Sequence, residues 1–212
     1  MHLAKRMEFA KHHMTWNQEW RNVIWSDEKK WNLDGPDSFA YYWHDLRKEK
    51  QIHSRRQMGG GSVMIWASFG WNFKGKISFI DTKMNAIAYK KLLVEHFSDI
   101  SESFEGNKWI FQQDNAPCHK AKVIMDWLSK QNVDVLSWPP YSPDLNPIEN
   151  LWGLLVRKVY NGGVQYSGKN DLKNAILKAW NEVTEEERKN LVNSIPNRIY
   201  ELIRLQGRKT KY

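Results

Sequence analysis

The chain has 212 residues, room at about 150 residues per domain for one sizeable domain with a buried core, and its 41% apolar and 13% aromatic content, with 12 Trp, excludes a disordered basic tail. A net charge of +8 and a pI near 9.4 point to a polyanionic partner, because Lys and Arg that displace counterions from phosphates supply most non-specific nucleic-acid affinity. A single cysteine, Cys118, excludes an intramolecular disulfide framework and fits a reducing compartment; with no apolar leader and no stretch long enough to span a bilayer, a soluble intracellular protein is expected.

Residues 3 to 20 read as a helical lead-in with a basic face, holding Leu3, Met7, Phe9, Ala10 and Met14 at loosely helical spacing. RNVIWSDEKKWNLDG then reads as a strand with Trp25, Asp27, Lys29 and Trp31 on one side, ended by the turn signal Asp34-Gly35-Pro36. From Pro36 to Gly61 a long loop or arm is expected, with the extended segment AYYWHDL, the basic residues Arg47, Lys48, Lys50, Arg55 and Arg56, and a closing glycine triplet. SVMIWASFGW and KGKISFIDT predict a hairpin turning near Gly70 and Gly75. Asn85 to Phe104 reads as a helix with Ile87, Leu92, Leu93 and Phe97 near one face, and KWIFQQD as a short buried strand ending at Asp114. A helix over Lys120 to Lys130, a strand in VDVLSWP and a Pro-rich loop follow, before a helix that begins near Asn146 with Pro147 at its first position and Glu149 in its first turn. Two or three further helices are predicted between Asp171 and Gln206. The order, β-rich, then alternating, then helical, fits a mixed sheet flanked by helices.

Three carboxylates stand out along this chain: Asp27, Asp114 and Glu149, the last two separated by 34 residues. Each sits at a different structural transition, which is how distant segments converge on a pair of divalent ions. Phosphodiester displacement needs one ion to activate the attacking oxygen and another to stabilise the leaving oxygen, and hard Mg2+ is satisfied by a few carboxylates without His or Cys. Each acid also has an ordinary reading. Asp27 fits a solvated strand position, Asp114 fits Asx-turn chemistry, and Glu149 fits the N3 position of a capping box behind Asn146. Cys118 and His119 are too few to close a zinc site, so structural roles are expected for them, with a contact to substrate phosphate or water as the alternative for His119. Tyr41, Tyr42 and Trp43, beside Arg47, suit base stacking or, more simply, core or dimer packing.

The motifs SDEKKWNLDGPD, GGGSVMIWASF, FQQDNAPCHKAK, WPPYSPDLNPIENLWG and GRKTKY together resemble the catalytic domain of Tc/mariner transposases over nearly the whole chain, and most closely the nematode-type Tc branch with Glu as third acid. The resemblance implies an α/β, RNase H-like (retroviral integrase-type) mixed sheet flanked by helices with further C-terminal helices, residues 21–212 forming the catalytic domain behind a lead-in at 1–20. It implies Asp27, Asp114 and Glu149 as catalytic ligands of two Mg2+ or Mn2+ ions. The implied substrate is double-stranded DNA, cleaved at transposon ends, whose freed 3′-hydroxyl then attacks target DNA at a TA dinucleotide. The arm over 34–61 corresponds to a clamp loop reaching the partner of a homodimer, and Arg47, Lys48, Arg55, Arg56, His119 and Lys120 are the expected DNA contacts. The family's paired N-terminal helix-turn-helix modules are not found in this sequence, so weak, salt-sensitive and largely sequence-independent DNA binding is expected. A nuclear location follows from the substrate and the basic tracts. The rival expectations are a stand-alone RNase H-like nuclease and a non-catalytic DNA-binding or dimerisation protein.

Overall fold

Strand β1 (Val23–Asn32) runs through the middle of the protein, and its residues alternate between two hydrophobic clusters. Val23, Trp25 and Trp31 enter one cluster while Ile24 enters the other, the period of two required of a strand covered on both faces. The computed structural model describes residues 2–36, 61–81, 84–131 and 133–212. The arm expected over 34–61 therefore lies, apart from its ends, outside the described residues, together with Tyr41, Tyr42, Trp43, Arg47, Lys48, Arg55 and Arg56.

The sheet has the order β3-β2-β1-β4-β5. Strand β2 (Ser62–Phe69) runs antiparallel to β1 with Asp27 opposite Ala67, and β3 (Ser78–Ile80) closes the predicted hairpin. The turn between them is tight enough that a Cβ at Gly75 would sit 2.8 Å from Ser68 Oγ and 3.0 Å from its carbonyl oxygen, so glycine is required there. On the other side, β4 (Ile110–Gln112) pairs parallel with β1, and β5 (Asp134–Val135) pairs parallel with β4. The mixed sheet expected from the sequence is the one observed.

Helices α2 (Ala86–Ser103) and α3 (Lys122–Lys130) cover one face, packing Tyr89, Leu93, Phe97 and Ile124 against Ile24, Trp66 and Phe111. Helices α4 (Pro147–Val159), α5 (Lys169–Asn181), α6 (Glu185–Asn193) and α7 (Ile195–Arg204) cover the other, joined by α1 (His2–His13). Ile87 departs from expectation, being 78% exposed. The buried stripe of α2 runs instead through Tyr89, Leu92, Leu93, His96, Phe97 and Ile100, and Ile87 lies in the first turn off that stripe. Among the described residues no helix is long and apolar enough to cross a membrane.

The lead-in also differs from its reading. Helix α1 packs against α7, leaving Leu3 and Met14 exposed and burying the basic Arg6. The Arg6 guanidinium forms a bidentate pair with Asp144, Nη1 to Oδ1 at 2.9 Å and Nη2 to Oδ2 at 2.7 Å, while its Nε donates to the Gly207 carbonyl at 2.8 Å. Gly207 has φ of +83°, and a Cβ there would approach the Leu3 carbonyl oxygen to 2.5 Å, so no other residue fits this contact between the two ends of the chain. Asp144 also accepts from the Thr210 backbone N–H at 2.8 Å, and its own carbonyl accepts from Arg198 Nη1 at 2.9 Å. One buried aspartate thus ties α1 and the C-terminal tail through its carboxylate, and α7 through its carbonyl, to the loop that enters α4.

Burial raises the Asp144 carboxyl, but Arg6 and the Thr210 N–H outweigh it and hold it below its ordinary value. A carboxylate that titrates lower when folded contributes stability in full above its unfolded value near 3.8, and loses it as the pH falls through the depressed folded value. Arg6→Ala is expected to cost about 3 to 5 kcal/mol by leaving Asp144 buried and unpaired. In urea unfolding, the gap between the wild-type chain and Asp144→Asn should be widest at neutral pH and shrink below about pH 4.

Candidate active site

Ser26, Gln112 and Asn146 meet where β1, β4 and the start of α4 come together, and all three are buried. Ser26 Oγ donates to the Gln112 carbonyl at 2.8 Å, and the Ser26 N–H donates to Gln112 Oε1 at 3.1 Å. Asn146 Nδ2 donates to the Ser26 carbonyl at 3.2 Å and lies 3.4 Å from Gln112 Oε1, while its Oδ1 caps α4 by accepting from the Ile148 N–H at 3.3 Å. Each member of this knot sits within three residues of one of the acids singled out in the sequence. Asp27 follows Ser26 in mid-strand, Asp114 lies just past the end of β4, and Glu149 occupies the first turn of α4.

The three acids line one cavity of about 430 Å3, walled by Trp138, Pro139, Pro140, Tyr141 and Ser142. Asp27 Oδ2 accepts from Trp152 Nε1 at 3.1 Å, one helical turn beyond Glu149 on α4. Asp114 Oδ1 accepts from the Ala116 N–H at 2.8 Å and is held by His119 Nδ1 at 2.6 Å. Glu149 makes no reciprocal capping box of the kind that Thr184 and Glu187 make in α6, so the ordinary reading of that residue as a cap does not describe it. The acids share a wall without closing up: among the described residues no three of His, Cys, Asp and Glu form a ready metal cluster.

The electrostatics of the acids diverge. Burial, together with the Glu149 and Glu28 carboxylates, pushes Asp27 up to about 8 against the opposing Trp152 hydrogen bond. Burial also raises Glu149, partly offset by the Lys29 ammonium. Asp114 is raised by burial but carried below its ordinary value by His119 and the Ala116 N–H. Burial lowers His119, yet the Asp114 and Glu28 carboxylates push it up to about 10. Asp27 is thus a half-buried carboxyl with acidic neighbours and Glu149 an exposed one at the cavity rim, and an all-oxygen set of this kind suits a hard divalent cation.

His119 and Lys120, both expected at DNA, part company here. His119 is buried at 3% exposure with a carboxylate at each ring nitrogen, Asp114 at Nδ1 and Glu28 Oε1 at 3.2 Å from Nε2, which leaves neither nitrogen open to a phosphate. Lys120 is exposed and lines a neighbouring cavity of about 530 Å3 with Lys5 and His12. The supporting roles of Ser26, Glu28, Gln112 and Trp152 carried no sequence signal, since each depends on a partner far along the chain.

The mixed sheet flanked by helices, with Asp27 on its central strand, Asp114 beyond the neighbouring parallel strand and Glu149 on α4, has the RNase H-like fold. The family profile described as DDE superfamily endonuclease matches residues 22–173. The Tc3 transposase of Caenorhabditis elegans is 45% identical over 100% of this chain and 64% of its own length, so the chain spans less than two thirds of that relative. The Tc1 transposase of the same organism is 34% identical over 98% of this chain and 77% of its own length. The Mos1 mariner paired end complex with Mg shares the fold at a TM-score of 0.84 and 18% identity, covering 99% of this chain and 63% of that one. The chain belongs to the DDE superfamily of endonucleases, among the transposases of the Tc/mariner type.

Folded Asp27 takes up its proton near pH 8 and unfolded Asp27 near 3.8, so burying it costs stability that grows as the pH rises between those values. Asp27→Asn cannot ionise in either state, so it escapes this cost and is expected to stabilise the metal-free chain at pH 7 by about 4 kcal/mol, with little effect near pH 4. Thermal unfolding of both proteins across that range measures it.

Proposed function

We propose that this chain is the catalytic part of a cut-and-paste DNA transposase, with Asp27, Asp114 and Glu149 as its catalytic acids. The observation that carries the reading is the single cavity lined by all three, with Asp27 half-buried and raised by its acidic neighbours. Their oxygens would hold two divalent cations, Mg2+ or Mn2+, which when bound polarise the attacking and leaving oxygens of a phosphodiester.

The protein's own groups fix the acids in place. Trp152 Nε1–H holds one oxygen of Asp27, the Ala116 N–H and His119 hold one oxygen of Asp114, and the capped first turn of α4 carries Glu149. Groups held before reaction need no reorganisation during it, which is where a site that makes no covalent intermediate obtains its rate. In cleavage the nucleophile is water, and in joining it is a DNA 3′-hydroxyl; in both the bridging oxygen leaves as the new bond to phosphorus forms. The net charge of +8 and the exposed Lys120, Lys5 and His12 beside the cavity favour a DNA strand crossing this face. Transposon ends as substrates and a homodimer as the working form are part of the same proposal, supported by the Tc3 and Tc1 transposase relatives and the Mos1 paired end complex, and a TA target and a nuclear location belong to it as expectations from the sequence.

Incubated with supercoiled and transposon-end DNA in Mg2+ or Mn2+, the chain is expected to give nicked and joined products that a chelator abolishes. Asp114→Asn and Glu149→Gln should each lower the rate by at least about a thousandfold while leaving the fold intact. Nicks that persist in Asp114→Asn would defeat the site assignment, and nicks without joined products would indicate a nuclease.

A further inference from the structure

Glu28 does not line the carboxylate cavity, and its side chain reaches Asp114 by way of His119. It follows Asp27 directly on β1, so the alternation of the strand sends the two acids to opposite faces, Asp27 toward α4 and Glu28 toward α2. On that second face His119 bridges Asp114 and Glu28, Nδ1 at 2.6 Å from Asp114 Oδ1 and Nε2 at 3.2 Å from Glu28 Oε1. Glu28 Oε1 is buried with no hydrogen-bond partner, which leaves the His119 ring as its compensating contact.

The ring itself is boxed in. Tyr89, fully buried, stacks on it at a centroid distance of 4.0 Å and an interplanar angle of 28°. Tyr89 OH donates to Gln113 Oε1 at 3.0 Å, and Gln113 Nε2 donates to the His119 carbonyl at 3.3 Å, closing a loop of buried side chains around the imidazole. With the ring immobile, Asp114 Oδ1 is fixed by His119 and the Ala116 N–H, and Oδ2 is the oxygen without a protein partner among the described residues.

We infer that Glu28 and His119 are positioning residues that act as a clamp, setting which oxygen of Asp114 faces the cavity and in what direction. The inference rests on the reading of Asp114 as a metal ligand. A buried ion pair is a poor device for stability alone, since apolar residues of like volume serve as well. Partners that orient a ligating carboxylate are worth roughly 10- to 100-fold in metal affinity. A clamp of this kind sharpens the site without contacting DNA.

The test is Mn2+ affinity of the whole chain, read from the free-ion signal in electron paramagnetic resonance, with thermal unfolding measured on each protein. Glu28→Gln and His119→Ala are expected to weaken Mn2+ binding about tenfold or more, and His119→Asn, whose amide keeps a donor near the Nδ1 position, to lose distinctly less. Cleavage by Glu28→Gln should recover toward the wild-type rate at saturating Mn2+. Affinity within about twofold of wild type, or tighter, in folded Glu28→Gln would overturn the clamp, and that variant decides if His119→Ala does not fold. A wild-type chain that bound no Mn2+ would overturn the metal reading and the clamp together, whereas wild-type binding with unaltered variants would overturn the clamp alone.

Discussion

The knot of Ser26, Gln112 and Asn146 is the constraint on which the rest of the site depends. Three buried polar side chains from segments far apart in sequence meet each other's backbone groups, and each stands next to an acid. Buried polar groups are costly unless paired, so such a network admits few alternative arrangements. Its geometry fixes the strand pair β1 and β4 in register and sets the N-terminus of α4 across their ends. Glu149 reaches the cavity because Asn146 both caps its helix and is hydrogen-bonded to β1.

The acids of this chain fall into two electrical kinds. Asp144 and Asp27 are chemically identical, yet one is drawn below its ordinary value by Arg6 and Thr210, and the other is driven up to about 8 by burial and its acidic neighbours. The paired acid holds the molecule together, joining α1, α7 and the tail to the loop before α4. The unpaired acid is a cost to the fold, which the two helical layers around the central strand must offset. The proposed function gives that uncompensated carboxyl a partner in a divalent cation.

Much of this was legible in the sequence where the signal is local. Strand parity placed Asp27 in mid-strand beside Trp25 and Trp31, the glycines near 70 and 75 marked the hairpin, and Asn146 followed by Pro147 marked the start of α4. Local signals failed where tertiary partners decide. Arg6 looked like part of a basic face and is buried because Asp144, far along the chain, pairs with it. His119 has the structural role expected of it, but only the fold shows that its ring is locked between two acids, Asp114 and Glu28 on the α2 face of β1, which removes the alternative of a phosphate contact. Ile87 matched the apolar period of α2 but falls off the stripe that the sheet covers. The family motifs were legible because the residues that build the site cluster around each acid.

The central claim is that Asp27, Asp114 and Glu149 together hold divalent metal. Anomalous diffraction from crystals of the chain soaked in Mn2+ tests it most directly. The account predicts manganese in the cavity between β1, β4 and α4, in contact with oxygens of all three acids and lost in Asp27→Asn crystals. Manganese bound elsewhere, or a cavity that stays free of it at saturating concentration, would contradict the account.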